Sequence, residues 1–214
     1  MTDVYWLEQT EGDLPGEDDW LSTTEALKQS GLRFAKRRAD WRLGRWTAKC
    51  AVAAYLNLPD HAAALADIEI RPSPSGAPEV FLANQPAAVT ISLSHRAGTA
   101  ICAVAPSGVE LGCDLEMIEP RSDAFVADYF TNDEQALVAQ ASAPDRSRLV
   151  ALLWSGKESA LKALRAGLRL DTRSVMVCPE AACQGEEKTA GTEDPAPVFQ
   201  PSHDPGCWRP LQVR

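Results

Sequence analysis

Apolar positions at Val4, Trp6 and Leu7 predict a first strand over residues 2–9, and an acidic loop follows over 10–19. Ser22 or Thr23 offers an N-cap to a short helix running through Lys28, which Gly31 stops. A long helix is expected over 34–56, ended by Asn57-Leu58-Pro59-Asp60. Turning about 100° per residue, it gathers Trp41, Ala48, Val52 and Tyr55 into a buried stripe and Arg38, Arg42, Arg45 and Lys49 into a basic one beside it. Short strands are expected at 68–71 and 79–82, around a Pro, Ser and Gly-rich turn at 72–78. Residues 89–94 then alternate cleanly, 95–98 turn the chain and 99–105 return, which predicts a hairpin.

Pro106-Ser107-Gly108 separates that hairpin from Leu111-Gly112-Cys113-Asp114-Leu115-Glu116, read as another short strand. Its alternation puts Val109, Leu111, Cys113 and Leu115 on one face and the Asp114 and Glu116 carboxylates on the other, roughly 7 Å apart along the backbone. The tripeptide is the expected boundary between two halves, 1–106 and 107–214. In a simple meander His95 and Glu116 would lie at the same end of one sheet; across a hinge they would face each other over a cleft. Phe125, Val126, Tyr129 and Phe130 mark a short helical turn, and Thr131-Asn132-Asp133-Glu134 has the form of a capping box opening a helix to about residue 141. Ala143-Pro144 is expected to break it. The last helix is expected over 146–166, with Leu149, Leu153, Ala160 and Leu164 buried, Glu158, Lys162 and Arg165 pointing away, and Gly167 as its stop. Further strands are expected at 175–177 and 206–213, with 179–204 a mobile loop of Pro, Gly, Glu, Thr and Ala. No strong repeat stands out, although each half pairs a long helix bearing basic residues with short strands.

The 214 residues are 45% hydrophobic and 24% charged, ordinary for a globular protein. The first residues have no basic or apolar leader pattern, and no run of about eighteen apolar residues occurs, so a soluble cytoplasmic protein is expected, without membrane association. Six cysteines include no Cys-x-x-Cys pair, and Cys50, Cys102 and Cys113 fall in apolar patterns, so reduced thiols are expected. His61, His95 and His203 show no zinc-ligand spacing. A net charge of −9 disfavours nucleic acid as a partner. Positive charge is concentrated at Arg33, Lys36, Arg37, Arg38, Arg42, Arg45 and Lys49, opposed only by Asp40, which suits a compact polyanion. Four like charges at helical spacing repel unless an anion joins them; otherwise they form a solvated face over apolar neighbours.

Two carboxylates on one face of Asp114-Leu115-Glu116 invite a divalent cation, and hard oxygen ligands suit Mg²⁺ with one or two carboxylates and substrate phosphates. Taken alone they read as the solvated face of an edge strand. Glu158 and Lys162, four residues apart on a helix, taken alone form a surface pair. Together the four supply a third carboxylate and an ammonium, the parts needed to hold Mg²⁺ against a diphosphate and to neutralise a leaving phosphate.

Leu111 to Glu116, followed by Trp154-Ser155-Gly156-Lys157-Glu158-Ser159-Ala160-Leu161-Lys162, resembles the paired signature of the 4′-phosphopantetheinyl transferases. Ser92-Leu93-Ser94-His95 is similar to the family's Ser-x-Ser-His segment, and 38–49, with Gly44-Arg45, to its basic helix. Order and spacing resemble the monomeric, surfactin-type (Sfp-type) branch. The resemblance implies an α+β pseudo-dimer, each half an antiparallel sheet plus a long helix, with coenzyme A in the cleft between them. It implies transfer of phosphopantetheine from coenzyme A to a serine of an apo acyl or peptidyl carrier protein. By position Asp114, Glu116 and Glu158 would ligate Mg²⁺, and Glu158 or a water would take the serine proton. Lys162 would neutralise the transferring phosphate, while Ser94, His95 and Arg45, with Arg38 or Arg42, would hold the coenzyme's phosphates. Phe125, Tyr129 and Phe130 lie where the family meets its carrier, or else staple the following helix. The family's Gly-Lys-Pro reads Gly76-Ala77-Pro78 here, with Arg96 as a substitute cation. The alternatives are a Mg²⁺-dependent phosphodiesterase or nuclease, which the acidic balance disfavours, and a non-catalytic module binding coenzyme A or a carrier.

Overall fold

The structure is a computed structural model that describes residues 4–166 and 169–179 and the backbone of a strand at Arg209–Leu211. It is a mixed α+β fold with antiparallel sheets, and six α-helices lie among the described residues. Strands β1 (Val4–Thr10), β2 (Ile68–Pro72), β3 (Pro78–Leu82), β4 (Gln85–Pro86), β5 (Val89–Arg96), β6 (Thr99–Pro106) and β7 (Arg209–Leu211) form two sheets, ordered β5-β6-β1-β7 and β2-β3-β4. The predicted hairpin is β5 and β6, and its turn is the two residues Ala97-Gly98 with φ of 51° and 78°, the positive values a tight hairpin needs. His95 is therefore the next-to-last residue of a strand rather than part of the turn.

Helices α1 (Thr23–Ser30), α2 (Ala35–Tyr55) and α3 (Ala62–Ala66) belong with these strands. Ala48, Ala51 and Val52 of α2 pack on Leu7, Val89, Ile91, Cys102 and Val104, the side chains on one face of the larger sheet. The other face is apolar as well: Val4, Trp6, Ala103 and Ala105 meet Val109, Leu111 and Cys113. Alternation in β1 thus places Leu7 under α2 and Val4 with Trp6 on the opposite side, both covered.

Beyond Gly108, helices α4 (Asp123–Tyr129), α5 (Asn132–Gln140) and α6 (Ala143–Ala163) form a second core of Val126, Phe130, Val138, Val150 and Leu153. The expected break between α5 and α6 falls at residues 141–142, and Pro144 sits in the first turn of α6, where its missing N–H costs nothing. Among the described residues this half has no sheet of its own, and β7 instead pairs with β1 in the first sheet. The expected strands at 111–116 and 175–177 make no ladder, for a common reason. Side chains capture their amides: Ser92 and Ser94 take those of Cys113 and Leu115, and Glu134 takes that of Val177. The expected loop at 179–204 lies, after Pro179, outside the described residues, as do the flanks of the expected 206–213 strand.

One buried arrangement occurs twice. Lys49 of α2 is fully buried, with its ammonium 2.5 Å from Glu25 and donating to the carbonyls of Trp20 and Leu65. Glu25 closes a capping box with Ser22 and accepts the Ile70 amide at 3.2 Å. Lys157 of α6 is equally buried, 2.7 Å from Glu134, and donates to the carbonyls of Thr172 and Val175. Glu134 closes a capping box with Thr131 and accepts the Val177 amide at 2.7 Å. Each ammonium also lies near a buried ring, 5.8 Å from Trp20 and 5.9 Å from Phe130. The lysines end similar tetrapeptides, Trp46-Thr47-Ala48-Lys49 and Trp154-Ser155-Gly156-Lys157, a likeness the hydrophobic pattern alone passes over.

These cages correct two expectations. The buried stripe of α6 is Val150, Leu153, Lys157 and Leu161, and Leu164 is exposed, because a lysine paired and fully hydrogen-bonded can occupy a core position. The basic stripe of α2 is neutralised from within: Arg42 pairs with Asp18 at 2.6 Å, Arg45 and Lys49 share Glu25, and Arg38 donates to the Leu32 carbonyl. Cys50, Cys102 and Cys113 are free thiols, whereas Cys178 is disulfide-bonded, against the expectation of reduced thiols throughout. Among the described residues no helix is long and apolar enough to cross a membrane.

Candidate active site

Ser92 and Ser94 share one face of β5, two residues apart, and the amides they receive are also two residues apart. Cys113 N–H donates to Ser92 Oγ at 2.9 Å and Leu115 N–H to Ser94 Oγ at 3.1 Å. From the other side, Ser155 of α6 donates to the Asp114 carbonyl at 3.3 Å and Lys162 Nζ to the Cys113 carbonyl at 3.0 Å. Segment 111–115 is thereby wedged between β5 and α6. Gly112 is where it touches the helix: a Cβ there would stand 1.7 Å from the Ser159 carbonyl oxygen, so only glycine fits.

The wedge fixes Asp114, whose side chain is 7% exposed. Its Oδ1 accepts from Ser94 Oγ at 2.9 Å and Lys162 Nζ at 2.7 Å. Its Oδ2 is buried and has no hydrogen-bond partner among the described residues. Glu158 lies one turn before Lys162 on α6. Burial pushes the Glu158 carboxyl up, the charges of Asp114 and Glu116 add to the push, and Lys162 opposes it. Glu116 meets Arg121 at 3.2 Å, and Arg121 also holds Glu119 at 3.1 Å, which in turn pairs with Arg96 at 2.9 Å.

Beside this group opens a cleft of about 430 Å³, with α2 and β5 on one side, the 75–78 turn at its edge and the end of α6 across from them. Arg45, Arg71, Lys162 and Arg165 line it against a single acid, Asp40, in a chain of net charge −9. His95 lines it too, its ring beside Gly44 of α2. Arg45 Nε and Trp41 Nε1, both buried in the wall, have no hydrogen-bond partner among the described residues. Burial pulls the Arg45 guanidinium down, opposed by the charges of Glu25 and Glu69.

Of the residues expected from sequence, the structure brings Ser94, Asp114, Glu158 and Lys162 into one group and Arg45 and His95 to the adjoining cleft. Arg42 and Arg38 do not line the cleft; Arg42 ties down the 15–18 loop through Asp18 and the Pro15 carbonyl. Arg96, engaged with Glu119, does not line it either. Phe130 is fully buried and offers no surface, while Tyr129, 39% exposed, stacks with Phe125 and Trp154. Sequence reasoning missed Arg71 and Arg121, for which no local signal exists. It also missed Glu25, which the spacing Ser22-x-x-Glu25 could have flagged.

Asp114, Glu116 and Glu158 do not form a ready-made cage: among the described residues no three His, Cys, Asp or Glu side chains gather closely enough to hold a metal ion. The donor set nevertheless fits Mg²⁺, which keeps waters and takes one or two carboxylates with substrate phosphates. Asp114 has an unused buried oxygen, and the Glu158 carboxyl is pushed up by burial first and then by the charges of Asp114 and Glu116.

Residues 110–208 match the family model of the 4′-phosphopantetheinyl transferase superfamily. The matched stretch contains Asp114, Glu116, Glu158 and Lys162. No curated protein matches the chain. Among solved structures it is similar to a holo-(acyl-carrier-protein) synthase from Bacillus anthracis in complex with CoA (3′,5′-ADP), at 20% identity and a TM-score of 0.41, over 50% of this chain and 97% of that one. It is also similar to Helicobacter pylori holo-[acyl-carrier-protein] synthase in complex with coenzyme A, at 21% identity and a TM-score of 0.39, over 49% of this chain and 99% of that one.

Proposed function

We propose that the chain is a 4′-phosphopantetheinyl transferase of the surfactin-type branch, acting as a monomer that moves the phosphopantetheine arm of coenzyme A onto a serine of an apo acyl or peptidyl carrier protein. The observation that carries this reading is the coincidence of a cationic cleft with unpartnered buried atoms. Trp41 Nε1 in its wall and Asp114 Oδ2 beside it lack hydrogen-bond partners among the described residues, and Arg45 Nε has only the 3.7 Å ion pair with Glu25 and no hydrogen bond. The family match over 110–208 supports it independently.

On this reading Arg45 and His95 bind the coenzyme's phosphates, and Ser94 acts through Asp114 as well as lining up the segment that bears it. The carrier serine oxygen attacks the pantetheine-side phosphorus, the diphosphate P–O bond breaks, and adenosine 3′,5′-bisphosphate leaves. Glu158, directly or through a water, takes the serine proton; beside a cation a carboxylate is a weak base, which favours the route through water. Lys162, 2.7 Å from Asp114, faces the transferring phosphate and offsets its charge. Bound Mg²⁺ would be held by Asp114 and Glu158, with Glu116 once Arg121 yields it, and would neutralise charge on the diphosphate. Tyr129 and Phe125, with exposed Met117 and Ile118 just beyond Glu116, offer the carrier an apolar contact next to the site. The repeated lysine cages of α2 and α6 support division into halves 1–106 and 107–214 related as a pseudo-dimer, with the cleft between them. Chromatographic detection of adenosine 3′,5′-bisphosphate tests the reading. Release should require the protein, an apo carrier and a divalent cation together, and release independent of the carrier would refute it.

A further inference from the structure

Arg165 sits just past the end of α6, where the chain turns into the left-handed region with φ of +53°. Its N–H donates to the Lys162 carbonyl at 3.0 Å, and the Ala166 N–H to the Leu161 carbonyl at 3.1 Å, closing the helix end. Glycine is the usual residue at such a position because a Cβ is strained there, and an arginine lowers stability. The side chain itself gains little in return. The Arg165 side chain is 50% exposed, and its ion pair is with Glu79, 3.9 Å away and itself 41% exposed, a contact of little worth. The other cations of the cleft stand closer to their acids: Arg71 at 2.5 Å from Glu69, Lys162 at 2.7 Å from Asp114, and Arg45 at 3.7 Å from Glu25.

The strained residue is nevertheless held firmly. Arg169 donates from one Nη2 to the Arg165 carbonyl at 3.1 Å and to the Ser75 carbonyl at 3.2 Å. This brace ties the end of α6 to the turn at the cleft's edge, so that Arg165 lines the same space as Arg71 and Ala77. A costly backbone, a loosely engaged guanidinium and a fixed position over an anion-attracting cleft have one common explanation. We infer that Arg165 is a phosphate-binding residue of the cleft, supplied by the C-terminal helix and presented there by its left-handed backbone. The inference rests on the reading of the cleft as a coenzyme A site.

Calorimetric titration of coenzyme A into the full chain, with thermal melts of the same samples, tests it in the wild type and in Arg165→Gly and Arg165→Lys. Arg165→Gly should melt higher than the wild type yet bind coenzyme A about tenfold more weakly, the loss of one charge-assisted hydrogen bond. Arg165→Lys should bind between the two. A residue with only a structural role cannot move stability and affinity in opposite directions. Titration of dephospho-coenzyme A locates the contact: the difference between wild type and Arg165→Gly vanishes if Arg165 meets the 3′-phosphate and persists if it meets the diphosphate. Arg165→Gly binding coenzyme A within about twofold of wild type overturns the inference while leaving the coenzyme site standing. A wild type that binds no coenzyme A overturns the reading of the site itself.

Discussion

Ser94 and Asp114 come from opposite sides of the chain's turn at Gly108 and share a 2.9 Å hydrogen bond, while the Ser94 oxygen also receives the Leu115 amide. One hydroxyl thus aims the carboxylate and satisfies the backbone that carries it. Ser94→Ala should leave the Leu115 amide without its acceptor and cost about 1–2 kcal/mol in urea unfolding. It should also lower the rate of arm transfer, since Asp114 would be held by Lys162 alone.

Gly112 sets how closely that backbone approaches α6. Gly112→Ala should cost at least about 2 kcal/mol, because the contact is with main chain and neither side can give. Denaturation of the variant, with transfer activity measured on the folded fraction, checks this; full activity and stability would contradict the wedge.

The buried lysines yield a coupled prediction. Lys157→Met should destabilise by about 3–5 kcal/mol, because Glu134 is left charged in the core. Much of that loss should be recovered in Lys157→Met combined with Glu134→Gln, a double-mutant cycle that urea unfolding measures. The corresponding cycle on Lys49 and Glu25 should show the same coupling, since the cages are alike.

Glu158 makes stability depend on pH. Its folded-state carboxyl is raised above the ordinary value of 4.5, so the folded protein binds the proton more tightly than the unfolded chain does. The ionised group therefore lowers stability at neutral pH, and that loss is relieved as pH falls toward 4.5. In EDTA at neutral pH, Glu158→Gln should melt above the wild type, with the difference closing on acidification. Mg²⁺ should raise the melting temperature of the wild type more than that of the variant.

Local pattern carried much of this. Alternation marked β5 and β6 nearly to the residue, and it correctly put Val109, Leu111 and Cys113 on an apolar face. It could not reveal that the segment's partners are two serine hydroxyls rather than a strand, because alternation reports burial and not who accepts an amide. Thr131 and Glu134 were legible as a cap, yet Glu134's second role opposite Lys157 depends on a fold-level meeting that no local window contains. Arg42 and Arg45 looked equivalent on one stripe. The 15–18 loop took Arg42 and left Arg45 to the cleft, a choice made by distant residues.

The most direct test of the central claim is the intact mass of an apo carrier protein after incubation with this protein, coenzyme A and Mg²⁺, beside an EDTA control and an Asp114→Ala variant shown to be folded. The account predicts a gain equal to one phosphopantetheine on the carrier, absent with EDTA and with the variant. Unmodified carriers of every type, or a normal gain with folded Asp114→Ala, would contradict it.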